Sequence, residues 1–129
     1  MQESGEINCE EEYLLYLPLQ VKAAFMTERI KKLEAFLQQS PDDCFLNHAL
    51  ALEYIKEGRD AEAQAFFEKN RANDPGYVAT YYHLGKLLEQ TGNTDGALVV
   101  YEEGMQHARA AADMHAYREL QAAYEQLAY

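Results

Sequence analysis

Gly85-Lys86, inside the run Tyr81-Tyr82-His83-Leu84-Gly85-Lys86, pairs two residue types that a phosphate site uses. A phosphate-binding loop needs a glycine-rich run ending in Gly-Lys-Ser/Thr between a strand and a helix, so that backbone N–H groups cradle the phosphates. Here Leu87 follows the lysine, and neither a glycine cluster nor a strand pattern precedes it. Cys44 and His48 form a second suggestive pair. Four residues apart on a helix, they share a face and supply half of a zinc site or of a thiol–imidazole nucleophile. The other half is missing: the chain has no paired Cys-x-x-Cys or His-x-x-x-His, and His83, His107 and His115 stand apart. A nucleophilic cysteine would also need an oxyanion hole and an orienting group. Glu10-Glu11-Glu12, Asp42-Asp43 and Glu102-Glu103 lack the spacing of a calcium loop and read as helix caps and solvated faces. The expectation is a chain that is not an enzyme and holds no metal and no cofactor.

The elements that carry these residues are bounded by composition. The chain has 129 residues, one domain's length, and 48% hydrophobic residues, enough for a core. Its net charge of -11 repels nucleic acid and anionic membranes. Cys9 and Cys44, with no secreted framework around them, read as reduced thiols of a cytoplasmic protein. The first residues are acidic, unlike a secretory signal, and the longest apolar stretch, YLLYLPLQV, is short and contains Pro18.

The chain also repeats itself. Pro41 and Pro75, Leu50 and Leu84, Gly58 and Gly92, and Ala63 and Ala97 are each 34 residues apart, and Ala51 is matched by Gly85 and Phe67 by Tyr101. Small residues recur where helices would approach closely. Gly58 and Gly92 fall where a first helix must stop, and Asp60 and Thr94 follow as candidate caps of a second. Pro75 ends the unit.

In period and signature this sequence resembles the tetratricopeptide repeat family, whose unit is a helix–turn–helix. One repeat covers about residues 44–77 and the next about 78–111. The signature positions are Tyr81, Leu84-Gly85, Leu88, Ala97, Tyr101 and Gly104 in the second, and Asn47, Leu50-Ala51, Tyr54, Ala63, Phe67 and Asn70 in the first. Asn47, Asn70 and Arg109 depart from the pattern, standing for an aromatic, a small residue and a closing proline. The resemblance implies an all-α solenoid of two full repeats, similar to small stand-alone bacterial members of the family.

The flanks read as caps. Ile30, Leu33 and Leu37 form a helical stripe in a partial repeat over residues 26–43, and Tyr117, Leu120, Tyr124 and Leu127 do the same in a terminal helix over 112–129. Residues 1–25 are expected to be an acidic and apolar extension holding a short helix, with Met26 an alternative start.

In this family the first helix of each repeat lines a concave groove that takes peptides or helices. The groove positions carry over to Phe45, His48, Leu52, Ile55 and Lys56, then Ala79, Tyr82, Lys86, Glu89 and Gln90, and from the terminal helix Ala116, Leu120 and Tyr124. Tyr81, Leu84 and Gly85 should be buried, and Tyr82 and Lys86 should face the groove together. The basic clamp with which some members grip a chaperone's C-terminal carboxylate is absent: His48, Leu52, His83, Asp113 and Tyr117 occupy its positions. The implied function is a non-catalytic protein–protein interaction module, with a protein or peptide partner. The alternative is a structural homo-oligomer that uses the groove or the end faces.

Overall fold

The computed structural model describes the backbone of residues 19–129 and the side chains of residues 28–129. Six α-helices account for it: α1 (Leu19–Gln39), α2 (Cys44–Lys56), α3 (Asp60–Asn73), α4 (Ala79–Gln90), α5 (Thr94–Ala110) and α6 (Met114–Ala128). Each packs against the next in the chain, and α4 also touches α6. The order is that of stacked helical hairpins, α2–α3 and α4–α5, with α1 before them and α6 after. The expected short helix before Pro18, and Cys9, lie outside the described residues. From Leu19 onward the chain is one helix that passes through Met26 without a break.

Local chemistry explains where the helices stop. Gly58 and Gly92 adopt φ of 75° and 88°, a left-handed conformation that glycine reaches without steric cost. Asp43, Asn93 and Asp113 cap α2, α5 and α6 by accepting from the N–H groups of Leu46, Gly96 and Ala116. The caps of the second helices thus fall one residue before the expected Asp60 and Thr94. Asn93 does the capping for α5, while Arg59 precedes α3 without a side-chain cap. Asp60 and Thr94 are instead first-turn residues. Pro75 lies just beyond the end of α3 at Asn73, whereas Arg109 lets α5 run on to Ala110. That longer helix is then closed by Ala112 at φ 58°.

The hairpin α4–α5 shows how the small residues work. A Cβ at Gly85 would stand 2.2 Å from the Tyr101 ring, and one at Gly104 would stand 2.5 Å from Tyr81 Cβ. Each helix therefore lays an aromatic ring over the other's glycine. Tyr81, Leu84 and Gly85 are buried, as expected. The two asparagines that depart from the family pattern are fully buried and act as cross-links. Asn47 donates to the carbonyls of Pro41 and Asp43. Asn70 donates to the Cys44 carbonyl and to Thr80 Oγ1, tying α3 to the starts of both α2 and α4. Arg71 spans from α3 to Glu103 on α5 at 2.6 Å, and the Tyr54 hydroxyl of α2 donates to Glu34 of α1 at 2.9 Å.

Candidate functional site

Stacking the hairpins sets α2 and α4 along one face. Between them lies a cleft of about 420 Å³ lined by Leu52 and Ile55 of α2 and by His83, Lys86, Leu87, Glu89 and Gln90 of α4. Its apolar lining is Leu52, Ile55 and Leu87, which also pack on the core. Its polar lining is more exposed. Lys86 Nζ lies 3.7 Å from Glu89 and 5.7 Å from the centre of the Tyr82 ring, so the ammonium is held between a carboxylate and a π-face. Glu89 in turn accepts from the Tyr101 hydroxyl. Burial, and then that hydrogen bond, push the Tyr101 phenol far above its ordinary range.

The structure sorts the residues expected at the groove into three groups. Leu52, Lys86 and Glu89 come together in the cleft, with Ile55 and Gln90. Phe45, Lys56, Tyr82, Tyr124 and His48 stand away from its lining. Phe45, at the start of α2, is 66% exposed. Lys56 is exposed at the end of α2 and pairs with Glu53 at 3.4 Å. Tyr82 is half-buried beside Lys86, Tyr124 packs on the core from α6, and His48 is half-buried at the seam between the repeats. Leu120, expected at the groove, is instead buried, at 1% exposure. A Cβ at Gly104 would meet its methyl at 3.0 Å, so Leu120 fills the space between α5 and α6 and presents nothing to a ligand.

His83, which had no expected task, lines the cleft and meets His48. The signal for this was present: the two histidines are 35 residues apart, one repeat period plus one. Burial, and then the neighbouring imidazole of His83, lower the His48 pKa to about 4. Burial also lowers that of His83, against an upward pull from Glu119. The Cys44 thiol is pushed up by burial and by Asp74, Asp43 and Asp42, the opposite of what a nucleophilic thiolate needs. Among the described residues no group of three or more His, Cys, Asp or Glu side chains is arranged to hold a metal ion. No helix among them is long and apolar enough to cross a membrane.

Comparison with known proteins points the same way. A family model described as the tetratricopeptide repeat matches residues 54–124. A tetratricopeptide repeat-containing protein of Pseudomonas aeruginosa is 29% identical over 91 residues, 70% of this chain and 87% of that one. The crystal structure of a tetratricopeptide repeat domain protein of Salinibacter ruber is 41% identical, with a TM-score of 0.64 over 66% of this chain and 94% of that one. PcrH, solved in complex with the chaperone binding region of PopD, shares the fold with a TM-score of 0.74 at 19% identity, over 95% of this chain and 92% of that one.

Proposed function

This chain belongs to the tetratricopeptide repeat family, and on that premise we propose that it is a protein-interaction module whose cleft between α2 and α4 receives a peptide or helical segment of a partner protein. The observation that carries the reading is the cleft itself: leucine and isoleucine side chains at its base, and Lys86, Glu89 and Gln90 where a partner's backbone or polar groups would lie. Apolar anchoring with a polar surround is the usual anatomy of a recognition groove. A rigid stack of helices also spares the complex much of the ordering cost on this side of the interface. PcrH holds a segment of another protein on the same fold.

On α6, His115, Arg118, Glu119, Gln121 and Glu125 are exposed, and the large apolar side chains exposed at that end are Met114 and Tyr129. Affinity capture from the native lysate, comparing the wild type with a Tyr82→Ala, Lys86→Glu variant of unchanged circular dichroism, tests the proposal. The variant should lose a protein that the wild type retains. Equal recovery from both would remove the cleft as the site, and a concentration-dependent dimer in light scattering that the variant abolishes would favour self-association instead.

A further inference from the structure

His48 and His83 belong to the first helices of consecutive repeats, and their rings meet edge to face with centroids 5.1 Å apart. Phe67 of α3 lies 5.5 Å from His48 and stacks on His83 at 6.3 Å. Tyr77, from the loop between the repeats, closes on His48 at 6.0 Å, and Tyr82 closes on His83 at 5.6 Å. Five rings from three helices and a loop thus make one cluster where the second repeat seats on the first. Within it, His48 Nδ1 is buried and has no hydrogen-bond partner. A neutral imidazole can leave one ring nitrogen as a bare acceptor, but an imidazolium carries an N–H on both. Protonating His48 in place would bury an unpaired donor and a charge together.

We propose that the His48–His83 pair is a proton-sensitive latch between the two repeats, closed while both rings are neutral and opened by protonation. His83 also lines the cleft, so opening the latch moves a wall of that cleft. The latch is a property of the free chain. Only its effect on a partner rests on the function proposed above.

Burial favours the neutral closed state at both rings, and the charges around them divide. The ionisable neighbour that acts on His48 is His83, which repels a second positive charge. The negative charge of Glu119 on α6, 3.5 Å from His115, acts on His83 and partly offsets its burial. From α2 the neighbour one turn away is Cys44, a thiol raised by burial and nearby aspartates, and from the loop it is the Tyr77 phenol, also raised. On α4, Tyr82 flanks His83, and Lys86 is directed toward Glu89. From α3 the cluster meets Phe67, while Arg71 turns to Glu68 and Glu103.

The direction of the effect follows from linkage. The closed state holds His48 at about 4, against the ordinary 6.5 of an exposed imidazole, so the opened state binds more protons between those values. Closure is fully favoured above pH 6.5 and weakens progressively as the pH falls toward 4. At pH 5 the opened fraction should be roughly 20-fold its value at pH 7 from this one ring.

Two measurements on the full chain test this. Imidazole NMR should show His48 titrating near pH 4, well below an ordinary histidine. Amide hydrogen exchange, corrected for its intrinsic pH dependence, should report that rise of roughly 20-fold at the start of α4. A His48→Phe variant, which keeps a ring but carries no proton, should reduce that rise to a few-fold. An imidazole that titrates at its ordinary value overturns the latch, as does a His48→Phe chain with an undiminished rise. Neither the NMR titration nor the wild-type exchange needs a variant, and an exchange rate that does not rise as His48 protonates overturns the latch even if the phenylalanine is not accommodated.

Discussion

Replacing Gly85 with alanine pits two effects of opposite sign against each other. In an exposed helix the change would stabilise, because alanine exceeds glycine in helix propensity by about 0.8–1.0 kcal/mol. Here the added methyl would sit 2.2 Å from Tyr101 Cε1 and 2.7 Å from Cδ1 and Cζ. Ordinary carbon contacts lie at about 3.5–4.0 Å, so the helices or the ring must shift by more than an ångström. The ring has no room to yield. Tyr101 is fully buried and its hydroxyl is tethered to Glu89. Overpacking of this kind costs up to about 3 kcal/mol, and the clash is severe enough to take the upper value. Subtracting the propensity gain leaves a net loss of about 2 kcal/mol. Urea denaturation followed by far-ultraviolet circular dichroism should show a midpoint lowered by roughly 1 M with an unchanged slope. A Gly85→Ala chain as stable as the wild type, or more so, would refute the argument that Gly85 exists for the approach of α4 to α5.

Leu120→Ala should destabilise by about 2–5 kcal/mol, because it empties a site in the α5–α6 interface, while Phe45→Ala, at an exposed position, should stay within about 0.5 kcal/mol of wild type. Thermal denaturation of the two variants side by side checks both. Asn93→Ala removes the side-chain acceptor for the Gly96 N–H and should cost about 1 kcal/mol, whereas Thr94→Ala should cost much less. Chemical denaturation would show the reverse order if Thr94 were the cap. Ala112→Gly should stabilise by about 0.5–1 kcal/mol, since Ala112 is held at φ 58° and the steric relief exceeds the entropy that glycine loses. A lowered denaturation midpoint would contradict that.

Features set by spacing along the chain were legible in the sequence. The 34-residue period placed the hairpins, and Gly58 and Gly92 marked the left-handed stops because almost any other residue is strained there. Features that depend on which side chain meets which across helices were not. Asn47 and Asn70 looked like lapses in the repeat pattern, yet they are buried donors that tie helices to carbonyls six and 26 residues away. Leu120 occupied a groove position by repeat register, but the packing of α6 on α5 turns it onto the core beside Gly104. His83 carried no motif of its own. Its significance comes from His48 on another helix, a neighbour that only the stacking of repeats brings near. The caps slipped by one residue for a plainer reason: Asn93 and Thr94 are both cap-type residues in succession, and Asp60 suits the first turn as well as a cap, so type alone does not separate the positions.

The central claim is that partners are received in the cleft between α2 and α4. A photo-crosslinking amino acid placed at Gln90, on the cleft, and at Ala65, exposed on α3, addresses it most directly in living cells of the native host. Binding in the cleft gives a discrete covalent adduct with another protein from position 90 and none from position 65. Adducts from position 65 alone, or the same adducts from both, would contradict it.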